Sequence, residues 1–578
     1  MNVVKYKDPK TDLNIKRSYA VIDGPRYKNW SQITSTSYSN DTLTFNTPPP
    51  NKAIIVSPFA FIGLRVQLVL TGDSGADNVP LVNYGYTDSL RACPINSCIS
   101  SLQCTFNNNT ITVTPFEYYP DLLNLGMTHE EQYKTFSNFP SMPDNFQHYS
   151  MGVGTVQNCM GGIGSSSFTH KGRGTFPVYI SANSRTTATI NFFVIEPIFL
   201  SPFLVGDVQG PGFIGLNTLQ WTFNFNDFSR MWCRDENAPS VTCTGTIVSV
   251  SQPEGLYPGS PTLYLEWITP SMKTSIPQSP SYAYYTIQKY VTNVGNVTSG
   301  QSLVVNSQSI QLQTIPKMII IYARRRNADR SITTTDTYAR IKGINLTWQN
   351  YSGILGNATV MELYQIAKEN GIIYDMHDWI GDIGEVSATT GGAKNFRGAG
   401  SILPLKFGKD IGLDPNEAPG LNKQFTLSFN INMENISNST INYDLYCVTI
   451  TEGVFKISQD IADTKLGITQ ATVDRINQMP EISYTDIKSR GGNSWSKTLS
   501  TVLDTTSKLL PAIESGVELF SGLGEPSNGG CGPSCGCQNC QNISKGMGLF
   551  DEDGETAGMD GGALMDKPLL KRRRLENR

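Results

Sequence analysis

The chain has 578 residues, a formal net charge of −4 and a charged fraction of 16 %, well below the roughly 25 % of an ordinary soluble protein. This argues against a protein that packages nucleic acid by bulk positive charge, and the length leaves ample room for more than one core. With 52 Gly, 32 Pro and much Asn, Ser and Thr, the composition suits strands and polar loops better than helices, whose surfaces usually carry Glu and Lys.

Met1–Lys10 is polar and no run approaches the ~20 apolar residues that span a bilayer, so neither a signal peptide nor a membrane span is expected. From about Ser18 to Ile457 short strands alternate with turns. Leu64, Val66, Leu68 and Leu70 recur at every second position, as do Leu219, Trp221, Phe223 and Phe225, and again Phe425, Leu427, Phe429, Ile431 and Met433. A period of two places each set on one face of a half-buried strand. Phe192–Leu200 and Met318–Tyr322 are largely apolar along their length and predict strands covered on both faces. Turn chemistry separates the strands at Asn46-Thr-Pro-Pro-Pro50, Gly210-Pro211-Gly212, Asn293-Val-Gly-Asn296 and Asp414-Pro415. Such a series over more than 400 residues points to sandwiches or barrels.

Helical signals are few: Val360–Glu369 is amphipathic, and Pro120–Gly126 allows a turn or two. A faint echo links Phe192–Leu200 and the following Trp221 with Met318–Tyr322 and the following Trp348, which suggests two copies of one domain rather than a solenoid, whose periods run to ~50 residues. After Ile457 the character changes. Trp495–Phe520 has roughly helical apolar spacing broken at Pro511; beyond Gly522 the chain is Gly/Ser/Asn-rich, then acidic (Asp551–Glu555), then basic. That last part cannot bury a core and is expected to be disordered.

Catalytic patterns are missing. His129, His148, His170 and His377 are scattered, with no His-Glu-x-x-His, nucleophile elbow or P-loop. His377 between Asp375 and Asp378 reads as a polar loop rather than a base with its orienting carboxylate. Arg324-Arg-Arg326 with Arg330 reads as a solvated loop; the alternative is a face toward nucleic acid or an acidic neighbour. Eleven Cys at irregular spacing fit a reduced, intracellular chain better than a disulfide framework. Cys531, Cys535, Cys537 and Cys540 supply four thiolates, enough for tetrahedral Zn²⁺, but lack the usual pair of separated hooks. A metal knuckle, disulfides between subunits and loose thiols all stay open, and no other cofactor is expected.

Several segments, in order, resemble the double jelly-roll major capsid proteins of virophages and Polinton-like viruses. They are Ile33-Thr-Ser-Thr-Ser-Tyr-Ser-Asn40 with Phe45-Asn-Thr-Pro-Pro49; Arg91-Ala-Cys-Pro-Ile-Asn-Ser97; Phe199-Leu-Ser-Pro-Phe-Leu204; and Tyr264-Leu-Glu-Trp-Ile-Thr-Pro-Ser-Met272 at the join. Ile344-Asn-Leu-Thr-Trp348, Ser352-Gly-Ile-Leu-Gly356, Leu405-Lys-Phe-Gly-Lys-Asp-Ile-Gly-Leu413 and Glu417-Ala-Pro-Gly420 complete the set. The resemblance implies an all-β double jelly roll, two eight-stranded sandwiches in one chain with short helical insertions. The expected boundaries are an arm at 1–17, a first jelly roll at 18–250, a second at 258–457, an extension with an amphipathic helix at 458–522 and a flexible tail at 523–578. It further implies a homotrimer that forms a pseudo-hexameric capsomer of an icosahedral virion. Penton and minor capsid proteins are the expected partners, with assembly in the host nucleus or cytoplasm and genome condensation left to something else.

The loops at 127–175, 275–300 and 370–400 are the expected turret and clasps. Met559-Asp560-Gly561-Gly562-Ala563 looks like a target of adenovirus-type maturation proteases, with cleavage after Gly562; two small residues let an extended chain enter a narrow cleft. A second match at Met160-Gly-Gly-Ile-Gly164 falls within the first jelly roll and is expected to be inaccessible. Lys571, Arg572, Arg573 and Arg574 resemble a nuclear import signal or contact genome DNA. Trp495–Phe520 is a helix for a minor capsid protein, for an inner membrane or for the chain itself. The competing class is a β-sandwich receptor- or carbohydrate-binding protein, with Tyr282, Tyr284 and Tyr285 as stacking platforms.

Overall fold

The period-two segments form strands with one buried face. In Asn422–Glu434, Phe425, Leu427, Phe429, Ile431 and Met433 are buried, whereas Met318–Arg325 is buried along nearly all its length, as a strand covered on both faces must be. The computed structural model describes residues 27–477 apart from 52–53, 76, 123–124, 126–139, 141–142, 145, 150–177, 204–211, 249–258, 271–279, 383, 387–393 and 459–460. All of these lie in one unit, residues 1–511.

The first barrel contains β1 (Tyr27–Thr34), β2 (Ser37–Tyr38), β3 (Thr42–Asn46), β4 (Ile55–Gly72), β5 (Asp88–Leu90), β6 (Ile99–Phe106) and β7 (Asn109–Val113). After an excursion come β8 (Tyr179–Asn183), β9 (Thr187–Pro197), β10 (Leu219–Phe225), β11 (Trp232–Arg234), β12 (Val241–Ile247) and β13 (Thr262–Thr269). One sheet runs β1-β13-β4-β9-β8 with β12 also beside β4, the other β2-β3-β10-β6-β7, and β5 pairs with β11.

The second barrel contains β14 (Ser281–Val297), β15 (Ser302–Asn306), β16 (Ile310–Thr314), β17 (Met318–Arg325), β18 (Arg340–Trp348) and β19 (Tyr351–Ile354). There follow β20 (Gly384–Val386), β21 (Lys394–Phe396), β22 (Leu403–Lys406), β23 (Asn422–Glu434), β24 (Ile441–Ser458) and β25 (Ile461–Leu466). Its sheets run β14-β24-β17-β22 with β25 beside β24, and β15-β23-β18-β19 with β16 beside β23; β20 and β21 form a separate pair.

With the additional strands set aside, β1-β13-β4-β9 over β3-β10-β6-β7 has the same order as β14-β24-β17-β22 over β15-β23-β18-β19. Each is a jelly roll, so the doubling is real. The echo that suggested it is not. Trp221 lies on β10, the counterpart of β23, while Trp348 lies on β18, the counterpart of β6. An apolar run followed by an alternating one is written at the step from β9 to β10 in the first barrel and at the step from β17 to β18 in the second, two different steps of the jelly roll.

Three further expectations change. The segment around Tyr264 is not a join at 258: β13 pairs with β1 and β4 and completes the first barrel, which therefore continues past 250. At the other end β25 continues the second barrel's sheet beyond 457. The span 275–300 is occupied from Ser281 by a 17-residue strand instead of a loop.

Short helices fill connections. Helix α1 (Pro115–Leu122) begins earlier than the expected Pro120, and α2 (Val360–Glu369) lies where the apolar spacing placed it. In α2 the Thr359 side chain accepts from the Glu362 amide while Glu362 accepts from the Thr359 amide, a capping box. Helices α3 (Met376–Ile380) and α4 (Gln470–Asn477) follow.

Strands β14 and β24, 17 and 18 residues long, extend about 55 Å at 3.3 Å per residue. They pair along almost their whole length. One end of this ribbon belongs to the core of the second barrel. At the other, Tyr282, Tyr284, Phe455 and Ile457 join the core of the first.

Candidate functional site

For a protein of this architecture the candidate site is the seam between the barrels. Its apolar part is an aromatic cluster at the end of the β14–β24 ribbon. Phe213 lies edge-on to Tyr282 at 4.9 Å, Phe106 to Phe455 at 5.0 Å, and Phe203 contacts Trp221 at 4.9 Å. Such pairs add ~1 kcal/mol each beyond the area they bury. The Tyr282 hydroxyl accepts from the Ile214 amide at 2.9 Å, and the Ser201 hydroxyl accepts from the Tyr285 amide at 2.8 Å. Tyr282 and Tyr284 are buried core residues and Tyr285 is half-buried, so the sugar-binding alternative loses two of its three proposed stacking platforms.

The polar part is built on the β17–β18 connection, which embeds in the first barrel; Ile332 is part of that core, and its carbonyl accepts from the Arg234 amide at 2.8 Å. Here Arg324 and Arg330 are buried, which corrects the reading of a solvated basic loop. Facing neither solvent nor nucleic acid, they point into the seam. Arg324 Nη1 donates to Asp121 Oδ2 of α1 at 2.7 Å. The same oxygen accepts from the Tyr322 hydroxyl at 2.7 Å, and Asp121 Oδ1 accepts from the Tyr338 hydroxyl at 2.8 Å. Burial first, then the carboxylate, pushes both phenols well above their ordinary range, so they remain donors. Burial alone would lower the Arg324 guanidinium, but Asp121 and the surrounding tyrosines hold it above its usual value.

Arg91, first residue of a quoted family segment, uses its whole fork. It donates from Nε to the Arg230 carbonyl at 3.1 Å, and from Nη1 to Tyr149 and to Asp336 Oδ2, both at 3.0 Å. Nη2 reaches the carbonyls of Ser331 at 3.3 Å and Thr334 at 3.2 Å. In the same segment the amides of Ile95 and Asn96 donate to Glu196 of β9 at 2.7 and 2.9 Å, and Asn96 Nδ2 adds a third bond at 2.7 Å.

Gln147 donates to the carbonyls of Tyr338, Gly398 and Ala399 at 2.9, 3.2 and 3.2 Å. Gly400 allows this approach: its φ is +91°, and a Cβ there would lie 2.1 Å from the Tyr338 carbonyl oxygen. His148 connects three segments. Its Nε2 accepts from the Asn438 amide at 3.2 Å, so the ring proton sits on Nδ1 and is donated to Glu236 at 2.8 Å, while Ser437 Oγ lies 2.8 Å from Nε2. His148→Ala leaves these polar groups without partners and is expected to lower stability by about 2 kcal/mol, measured as a shift in denaturant midpoint.

The catalytic alternative at His377 fares no better. Burial, then the charge of Asp375, pushes the Asp378 carboxyl up to about 6. Among the described residues, however, His377 hydrogen-bonds neither aspartate. The segment is helix α3, anchored by buried Trp379, whose Nε1 donates to the Ile402 carbonyl at 2.8 Å. Cys98, Cys104, Cys243 and Cys447 are free thiols. The second Gly-Gly match at 160–164, Trp495–Phe520, Cys531, Cys535, Cys537, Cys540, Met559, Gly561, Gly562, Ala563 and Lys571–Arg574 lie outside the described residues.

Two jelly rolls of one strand order, joined by a shared aromatic core and a buried ionic seam, define the double jelly-roll class of capsid proteins. The family model described as Sputnik virophage major capsid protein 1st domain matches residues 2–262, and that described as major capsid protein V20 C-terminal domain matches residues 287–453. The putative capsid protein V20 of Sputnik virophage is 27 % identical over 482 residues, covering 81 % of this chain and 80 % of that protein. A chain of the Sputnik virophage structure solved by cryo-electron microscopy superposes with a TM-score of 0.76 at 25 % identity, over 85 % of this chain and 99 % of that one. The mavirus major capsid protein shares the fold, with a TM-score of 0.67 at 17 % identity over 84 % and 99 % of the two chains. The chain belongs to the virophage major capsid proteins and forms the shell of the virion.

Proposed function

We propose that three copies associate into a capsomer with six jelly rolls around a threefold axis, and that such capsomers tile an icosahedral shell without any catalytic step. The observation that carries this reading is the seam. Buried ion pairs add little net stability over apolar residues of the same shape, but displacing one partner strands a buried charge, so they penalise any other docking of the two barrels. A rigid pair of similar barrels, repeated by a threefold axis, presents a nearly hexagonal outline to its neighbours. Size-exclusion chromatography with light scattering is expected to give about 190 kDa, three times 63.5 kDa; a stable monomer refutes the reading and favours a binding module.

The proposal extends to the tail. Cleavage after Gly562 by a viral protease removes Ala563–Arg578, and with it Lys571–Arg574, after those residues have served nuclear import or a DNA contact. Virion-derived protein is then shorter by that segment in intact-mass analysis, and a full-length mass rejects the cleavage. The four clustered cysteines bind zinc, cross-link subunits after release or remain loose thiols; the absence of stoichiometric zinc in undigested protein ends the first of these. Penton and minor capsid proteins are the remaining partners of the assembled shell.

A further inference from the structure

Among the described residues, the buried ion-pair network of the seam carries more positive than negative charge. Asp336 faces three guanidiniums: Arg91 Nη1 at 3.0 Å, Arg230 Nη2 at 3.7 Å, and Arg330, which pairs with Oδ1. Arg91 lies 3.7 Å from Asp144, and Arg324 pairs with Asp121. Arg91, Arg230, Arg324 and Arg330 set against Asp121, Asp144 and Asp336 leave one positive charge in excess among the described residues of this network.

The excess is concentrated at Arg230. Its Nε and Nη2 are buried without a hydrogen-bond acceptor. The Asp336 oxygen near Nη2 is already taken by Arg330, and the Arg230 side chain is only 11 % exposed. Burial, then the charges of Arg91 and Arg324, lowers the Arg230 guanidinium to about 9, and burial with the neighbouring arginines also depresses Arg330. An uncompensated buried cation costs several kcal/mol, which a counter-ion at the unpartnered N–H groups relieves.

We propose that the seam binds one small monovalent anion, of the chloride class, at the Nε and Nη2 of Arg230. The excess of one charge selects a monovalent ion over phosphate or sulfate, which would overcompensate, and the burial selects a small ion over a carboxylate on another chain.

The test is thermal unfolding of the full-length protein at constant ionic strength while sodium gluconate is replaced by sodium chloride. A saturating rise of about 2–4 °C is expected. Arg230→Met abolishes the response, whereas Arg185→Met, at an exposed ion pair of the first barrel, retains it. Crystals soaked in bromide provide a readout independent of variant folding, with an anomalous peak expected beside the Arg230 guanidinium. Equal melting in the two salts, a chloride response that survives in Arg230→Met, or no bromide at Arg230 overturns the proposal.

Discussion

Asp121→Ala is expected to destabilise the protein by about 5 kcal/mol, since breaking a buried pair costs 3–5 kcal/mol and each stranded hydroxyl adds about 1. Asp121 is 1 % exposed, and it is the acceptor for Arg324, Tyr322 and Tyr338 at once. Its removal leaves two buried phenols without that acceptor and a buried guanidinium without its carboxylate, with only the Glu117 carbonyl and Asn327 Oδ1 still accepting from Arg324. Because Asp121 belongs to α1 of the first barrel and the other three to the second, the loss is expected to appear as faster hydrogen exchange on both sides of the seam. The triple variant Asp121→Leu, Arg324→Met, Tyr322→Phe separates stability from specificity. It is expected to recover most of the denaturant midpoint, as buried ion pairs replaced by apolar groups often do. Its trimer yield is expected to remain below that of the unaltered protein. If the triple variant is as unstable as Asp121→Ala, packing rather than charge holds this part of the seam.

The second large effect is a pH dependence at Glu196, which is fully buried. Burial raises its carboxyl to about 7 against the pull of the Ile95 and Asn96 donors. The folded-state value lies above the ordinary 4.5, so the folded protein holds this proton more tightly than the unfolded chain. Its contribution is present in full below about pH 4.5, falls as pH rises, and is gone above about pH 7. The loss is roughly 3 kcal/mol for a shift of this size. Glu196→Gln is expected to flatten the stability profile across that window, leaving a smaller slope of the same sign from Asp378, whose carboxyl is also raised. At any pH the variant is also less stable by about 1–3 kcal/mol, because the glutamine NH₂ cannot accept from the backbone amides that Glu196 serves. Urea denaturation at a series of pH values measures both effects, and a profile unchanged in Glu196→Gln rejects the assignment.

Much of the fold was legible because strand burial is a local property. Residues such as Leu219, Trp221 and Phe223 alternate in the sequence and alternate in burial, since a pleated strand turns successive side chains to opposite faces. Helix α2 was legible for the same reason, because the apolar spacing of Val360–Glu369 acts within a few turns.

The seam was not legible. Asp121, Arg91 and Asp336 look like unremarkable polar residues, and Arg324 with Arg330 looked like solvated charge; their partners are 203 and 245 positions away in the pairs Arg324–Asp121 and Arg91–Asp336. Tyr282 and Tyr284 likewise had the composition of a loop until the β14–β24 ribbon carried them into the other barrel's core. The family segments did mark Arg91, Ile95 and Asn96, though without assigning them a task.

By itself, then, the sequence determined that this is a chain of half-buried strands with a polar tail of different character. Those features follow from periodicity and composition, which act over a few residues. Only the tertiary structure decided where the first barrel ends, which strands correspond between the barrels, and that Arg324 and Arg330 of the basic cluster belong to an internal seam while Arg326 stays exposed. Sheet order and buried charge pairing depend on contacts between residues hundreds of positions apart, and no local pattern records them.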